Sequence, residues 1–443
     1  MIQQYIGKKG IGLIGKIEKI FKKIAELPHC SGDTAQLREY IKDVAKESGY
    51  SVHEDSAGNV MAYGSNSKVT LQSHYDMVCI GRAPEIETVV EEGWMRAKGS
   101  SLGADNGMGV AIMLWLMGRN APADFLFTND EEIGLVGAAN LELEVRTPYL
   151  LNLDSEEIGK VYIGCAGGED IYLKKRTEYF APVSVGERYI ISADTPGGHS
   201  GVNIAENIPN AITELCSVIV QNEAMQVASI AGGERINAIP AHAEAEVWMP
   251  QGHEPEIGSP HVSVRKIDTL QVPLLSDGRK VAKALFGFAH GVRAWNSDLN
   301  LPQSSINLAK VDSGEGMIEA ALSARAMSNT DLERLVAQSV AGWEALGFEA
   351  ATEGRYPAWS PEVNDFSKKV LQIYRRTFPK ASFAAIHAGL ECALFAERFK
   401  ELQIASIGPT ILDPHSDRER VELRSVERVA EVVESLISDL SRV

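Results

Sequence analysis

Between residues 69 and 154 the chain alternates short apolar runs with one long apolar run, and this alternation does most to limit the folds open to it. VTLQSHYDM (69–77) reads as a strand, GMGVAIMLWLM (107–117) as a buried helix, and DFLFTN (124–129) and YLLNLD (149–154) as further strands. Strands alternating with helices imply an α/β domain with a mostly parallel sheet flanked by helices. The polar residues of these segments fall at strand C-terminal ends, where open α/β sheets bind their ligands.

At 443 residues the chain exceeds what one hydrophobic core serves, so two domains are expected. After about Thr177 the texture changes. ERYIISADTPGGHSGV opens a strand, turn and helix, followed by a helix around Asn210 to Gln221 and the strand-like INAIPAHAEAEVWM. A similar order returns with a helix around Val281 to His290, the strands SSINLAKV and MIEAALSARAM, and a helix from Asp331 to Leu346. The middle therefore reads as an inserted α+β lid of two related halves, residues 187–353. From Pro361, FSKKVLQIYRRTF, HAGLECALFAERF and LQIASIGPT return to buried texture. Residues 1–186 and 354–443 are thus expected to form one discontinuous domain.

With 60 acidic against 43 basic residues, the formal charge of −17 repels phosphate backbones and anionic membranes. Nucleic acid is not expected as a partner on that ground. No run approaches the ~20 apolar residues of a membrane span. The opening MIQQYIGKKGIGLIGKIEKIFKKIAEL sets Ile and Leu among Lys at helical spacing, without a continuous apolar core or small-residue cleavage site, and reads as a surface helix. A cytoplasmic enzyme, without a membrane partner, is the expectation. Cys30, Cys79, Cys165, Cys216 and Cys392 are widely spread with no CxxC pair. They read as buried free thiols, with neither a disulfide framework nor a thiolate zinc site.

Zinc hydrolases need nitrogen and carboxylate ligands on a rigid frame, an open position for water, and a base not tied to metal. His74 and Asp76 are two apart on a strand and share a face, so Asp76 could accept the second ring N–H of a metal-bound His74; equally, the pair could be structural. Asp105, between glycines before a buried helix, suits either an N-cap or a carboxylate bridging two cations. Glu131 and Glu132 follow a strand and point in opposite directions, one towards a metal and the other towards water, or both to solvent. Asp154 ends YLLNLD, and His415 lies in the loop GPTILDPHSDRE; either could serve simple turn chemistry. The signal lies in the set of two His and several carboxylates at strand ends or adjoining turns.

SHYDM, GADNG, NDEEIG, NLDSEE, GGHSG, GGERINAIP, HAGLEC and DPHSD occur in an order and spacing that resemble the dinuclear aminoacylase/carboxypeptidase metallopeptidases. The resemblance runs from about residue 15 to the C-terminus. NLDSEE followed by YIGCAGG, together with HAGLEC, points to the aminoacyl-histidine (Xaa-His) dipeptidase branch. It implies one zinc held by His74 and Asp154, a second held by Glu132 and His415, and Asp105 bridging both. Asp76 would orient His74, and Glu131 would be the general base. A cis peptide is implied between Asp105 and Asn106.

From the middle module, His199 would stabilise the oxyanion, while Asn237 and Arg325 would hold the substrate's C-terminal carboxylate, a task that suits the planar guanidinium fork. The segment His387 to Glu391 would lie near the substrate's amino end. The implied reaction is hydrolysis of dipeptides of the Xaa-His or β-Ala-His type by a zinc-bridged hydroxide. Mn²⁺ or Co²⁺ also suit such a nitrogen and oxygen site. The rivals are an N-acyl amino acid amidohydrolase on the same scaffold and a catalytically silent peptide- or metal-binding paralogue. Relatives with a one-unit lid pair two lids across a dimer. A lid of two halves makes such pairing internal, with a homodimer through another surface still compatible.

Overall fold

The structure, a computed structural model, describes residues 2, 12–182, 185–267 and 272–442. Its contacts divide the chain into two units. One comprises Met1–Cys165, Trp359–Ala385 and Leu390–Val443, and the other Ala166–Ala358 and Ile386–Gly389.

The first unit is built on an eight-stranded sheet in the order Ser51–Glu54, Val60–Tyr63, Asp124–Thr128, Val69–His74, Tyr149–Asn152, Gln403–Ser406, Lys160–Cys165, Ser382–Ile386. Its four central strands run parallel, while antiparallel pairs flank them on both sides. Every residue of Val69–His74 is buried, as expected of a strand covered on both faces. The helix Ala104–Met117 buries every residue but Asp105, so it is apolar on all sides and lies inside the domain. Against it packs the helix Leu13–Ala25 through the stripe Ile17, Ile20, Phe21 and Ile24. Phe21 lies so close to Gly107 that an added Cβ there would meet its ring at 3.0 Å. The N-terminal segment is thus an amphipathic helix docked on the core; its start, before Gly12, falls mostly outside the described residues.

A smaller four-stranded antiparallel sheet, Ile411–Leu412, Arg420–Glu422, Trp94–Ala97 and Thr88–Glu91, ties the C-terminal segment to the early part of the chain.

The expectation for the cysteines is corrected. Cys30 and Cys79 form a disulfide, with Cα atoms 5.5 Å apart, while Cys165, Cys216 and Cys392 are buried free thiols. The pairing follows from backbone docking: Met77 N–H donates to His29 O, and Ser31 N–H donates to Met77 O, which lays the loop around Cys30 beside the chain leaving Val69–His74. Forty-nine residues separate the partners, so no local spacing announces them.

The second unit carries a nine-stranded antiparallel sheet. Its order is Val262–Lys266, Gly186–Asp194, His242–Pro250, Gln226–Gly232, Leu301–Gly314, Met317–Ala326, Gly167–Arg176, Glu349–Tyr356, with Gly291–Asn296 beside Leu301–Gly314. The helices Ala211–Gln221, Gly278–Gly287 and Asn329–Glu344 contribute to its apolar core. Asn210 caps the first of these through its side-chain oxygen and Ser328 the third. Gly167–Arg176 pairs along its whole length with Met317–Ala326, so this unit starts at Ala166 rather than near Gly186.

Candidate metal centre

His74 ends the central strand Val69–His74 and is 1% exposed. Its Nδ1 lies 3.0 Å from the backbone carbonyl oxygen of Asp76, which can only accept, so Nδ1 carries the proton in the neutral ring. The lone pair of Nε2 then faces two carboxylate oxygens, Asp105 Oδ1 and Asp154 Oδ1, each 3.2 Å away. Three electron-rich atoms converge there, and only a proton or a cation can sit among them.

Asp76 does more than face His74, from which its Oδ1 is 3.4 Å. Oδ1 accepts the Glu131 N–H at 2.9 Å, and Oδ2 accepts the Glu132 N–H at 3.2 Å and the Ser31 hydroxyl at 2.8 Å. One buried carboxylate thereby fixes the backbone under both acids.

Asp105 sits at a kink at the start of its helix, where it and Asn106 leave helical φ/ψ, after Gly103, whose φ of 70° is a conformation suited to glycine. The Asp105–Asn106 peptide is cis. The Asn106 side-chain amide donates to Leu153 O at 2.8 Å and to Asp154 Oδ1 at 2.6 Å, which ties the two acidic segments together. Asp105 Oδ2 lies 3.1 Å from His415 Nε2, itself 2.9 Å from Glu132 Oε1. Ligand atoms of His74, Asp105 and Asp154 gather within 4.8 Å of one another, as do those of Asp105, Glu132 and His415, and of His74, Glu131 and Glu132. Asp105 is common to the first two groups.

Burial pushes the Glu131 carboxyl well above the usual range, with the charges of Glu132, Asp154 and Glu391 adding to it. Burial and Asp105 lift Glu132 to about 7, and burial lifts Asp154 to about 6. So many acids are stable together only with protons or cations among them. The donor set answers to metal. It comprises carboxylates and imidazoles, and among the described residues no lysine or arginine bridges these acids. Glu132 Oε1 is buried without an aligned hydrogen bond although His415 Nε2 stands beside it, an orientation that suits two ligands of one ion. The chemistry open to such a centre is Lewis-acid activation of water and of a carbonyl.

The remaining candidates lie in the second unit. His199 stands on the two-residue strand Gly198–His199, paired with Ala238–Ile239, and Ser200 N–H donates to Asn237 O at 2.9 Å, so His199 and Asn237 come from adjoining segments. His199 Nδ1 accepts the N–H groups of Gly201 (3.2 Å) and Val202 (3.1 Å), which leaves the proton of the neutral ring on Nε2. Arg325 is buried, donates from Nη1 to the Tyr356 hydroxyl at 2.6 Å, and has an Nε without a hydrogen-bond partner. Opposite it in register is Ser305, whose hydroxyl lies 2.7 Å from His387 Nε2. Burial and the Arg325 charge push His387 down to about 3, so its ring is neutral.

Two contributors, Ser31 and Glu419, escaped the sequence reading, and Glu391 entered it only as the end of the segment His387 to Glu391, without a role of its own. Ser31 holds Asp76. Glu391, fully buried, accepts from Gln72 Nε2 at 2.6 Å and Thr128 Oγ1 at 2.7 Å, beneath the strand that ends in His74. Glu419 accepts backbone amides around Asp105.

Residues 70–439 match the profile of Peptidase family M20/M25/M40. The chain belongs to this family. It is a metal-dependent peptide hydrolase with the mixed sheet-and-helix fold found there. It is 30% identical to the cytosol non-specific dipeptidase of Escherichia coli (strain K12) over 477 aligned positions, covering 95% of this chain and 96% of the relative. Among solved structures, the aminoacylhistidine dipeptidase of Vibrio alginolyticus superposes with a TM-score of 0.80 at 27% identity, covering 96% of each chain. A tripeptidase from Staphylococcus aureus shares the fold at a TM-score of 0.60 and 17% identity, covering 98% of this chain and all of the other.

Proposed function

We propose that this peptidase hydrolyses dipeptides, Xaa-His substrates among them, at two zinc ions. The observation that carries the reading is the pair of ligand groups sharing one carboxylate: His74, Asp105 and Asp154 on one side, Asp105, Glu132 and His415 on the other. The designations of two of the relatives described above, a cytosol dipeptidase and an aminoacylhistidine dipeptidase, support the substrate class, and the former supports a cytoplasmic location. Zinc suits the mixed nitrogen and oxygen donors, and Mn²⁺ or Co²⁺ would serve in its place.

Metals held there supply Lewis acidity, which acidifies water and polarises the scissile carbonyl. Glu131, brought beside the ligands by the amide contacts of Asp76, takes a proton from the attacking water and returns it to the leaving amine. Asp76 keeps the His74 ring in the tautomer that presents Nε2. His199 Nε2–H is a donor for the oxyanion of the tetrahedral species. Asn237 and Arg325 receive the free carboxylate of the substrate, and the second unit acts as the lid. Recognition of that carboxylate favours short peptides.

The test pairs zinc titration of metal-free protein with hydrolysis of β-Ala-His, Gly-His, a tripeptide and an N-acetyl amino acid. Two zinc ions per chain and the highest kcat/KM on the dipeptides are expected. A higher kcat/KM on the N-acetyl amino acid would replace this reading by the amidohydrolase one. Tight zinc binding without any turnover would make the chain a silent binder.

A further inference from the structure

The helix Ala104–Met117 lacks the usual local cap, because its N-cap residue is Gly103 and no neighbouring side chain accepts its first amides. The acceptor comes instead from the far end of the chain. Glu419, 2% exposed, takes the N–H groups of Leu102 (2.7 Å) and Gly103 (2.9 Å) on Oε2, and those of Ala104 (2.7 Å) and Asp105 (3.3 Å) on Oε1. Four successive amides thus close on one carboxylate, and the last belongs to Asp105 itself.

Glu419 also follows His415 by four residues in one tight loop. Within that loop Ser416 Oγ donates to Asp413 O at 2.7 Å, Arg418 N–H donates to Ser416 Oγ at 3.1 Å, and Glu419 N–H donates to Ser416 O at 3.3 Å. Asp413 and His415 both adopt left-handed backbone, at φ 53° and 54°, which persists where surrounding contacts hold it. Beyond the loop, Arg420 and Val421 pair with Leu412 and Ile411. The loop is therefore a rigid piece, and besides the His415 ring its Glu419 carboxylate reaches inward to the turn of Asp105.

We propose that Glu419 is a positioning residue of the metal centre, joining the turn of Asp105 to the loop of His415 so that the shared carboxylate and the imidazole meet one ion. A cap needs only a nearby acceptor and acts on helix stability alone. Glu419 is 314 residues from Asp105, and it reaches the amide of that ligand itself, closer to the metal centre than the pairing of Arg420–Glu422 with Trp94–Ala97. Partners of ligands that act in this way typically set metal affinity within about 10–100-fold. The inference rests on the reading of Asp105 as the bridging ligand, and the experiment separates the two.

Zinc affinity and stoichiometry are measured on metal-free wild type, Glu419→Gln, Glu419→Asp and Asp105→Ala by competition with a chromophoric chelator. Thermal unfolding of each metal-free protein is recorded alongside. Gln keeps the shape but offers one acceptor oxygen for two pairs of amides. Glu419→Gln is expected to bind zinc about 10–100-fold more weakly, with kcat reduced more than KM. Glu419→Asp, charged but one methylene short, should lie between it and wild type. A folded Glu419→Gln with zinc affinity within twofold of wild type overturns the proposal, even if its unfolding temperature falls, because the residue is then a cap only. Should Glu419→Gln fail to fold, Glu419→Asp decides by the same criterion. Retention of both zinc ions by Asp105→Ala sinks the ligand reading instead, and leaves the affinity of the Glu419 variants to judge the clamp.

Discussion

Glu131 and Glu132 are neighbours whose amides both donate to Asp76, yet their side chains face different company. Glu132 meets His415, whereas Glu131 groups with His74 and Glu132 and stays out of both clusters that contain Asp105. Replacing Glu131 with Gln is therefore expected to lower kcat by about 10²–10⁴-fold while metal analysis still finds two zinc ions; loss of one zinc would exchange the roles of the two acids. Asp105 carries a different expectation, because both ligand groups use it. Asp105→Ala should empty both positions, and equilibrium dialysis that returns two tightly held zinc ions would contradict the bridge. Glu131 and Glu132 stood out in the sequence because they follow a strand at an apolar-to-polar boundary, and Asp105 because it lies between glycines before a buried helix. Glu419 did not, nor did the individual role of Glu391 within the segment His387 to Glu391, since their partners lie hundreds of residues away and nothing in the local sequence announces them. The Cys30–Cys79 pairing was hidden because 49 residues separate the partners and no local spacing announces them.

At the scale of elements, periodicity served best where burial was complete. Val69–His74, Asp124–Thr128, Tyr149–Asn152 and the helix Ala104–Met117 fall close to where their apolar runs place them. The strands Lys160–Cys165 and Gly167–Arg176 escaped notice because glycines and charges interrupt their pattern, although cross-strand partners complete it. A helix over Val281 to His290 proved to be Gly278–Gly287, followed by the strand Gly291–Asn296, whose half-exposed Val-Arg-Ala-Trp lies against Leu301–Gly314. His290, at that junction, accepts the Leu308 N–H on Nδ1. Burial lowers its pKa from 6.5 to about 4. Below about 6.5 the unfolded chain takes up a proton that the folded ring refuses, so this contribution to stability is intact above that pH and is lost as pH falls towards 4. A shift of this size corresponds to at most about 3 kcal/mol, and partial exposure of the ring reduces it to about 1–2 kcal/mol. Denaturant unfolding of the metal-free protein at pH 7.5 and 4.5 should show His290→Gln losing less stability on acidification than wild type by that amount. Equal losses in the two proteins would refute the assignment.

Over the whole molecule, the sheet of the second unit bears on how the peptidase assembles its site. Gln226–Gly232 of the first half pairs with Leu301–Gly314 of the second through Ala231 opposite Asp312 and Gly232 opposite Val311, so the two halves share one continuous sheet. The resemblance described in the sequence implies that in members with a one-unit lid two lids pair across a dimer, and that the histidine corresponding to His199 then serves the neighbouring chain. With two halves in one chain, the inference is that His199 serves the active site of its own chain, together with Asn237 and Arg325. Subunit complementation decides this. His199→Ala and Glu131→Ala are each expected to lack most activity, one through loss of an oxyanion donor and the other through loss of the base. Mixed under conditions of subunit exchange, the two should remain inactive, because no chain then holds both residues. Recovery of activity, up to about a quarter of wild type if half the chains form mixed dimers with one intact site in each, would show that the histidine crosses between chains. Native mass spectrometry of differently tagged variants establishes whether mixed dimers are present. If the protein is monomeric at assay concentration while fully active, sharing between chains is excluded directly.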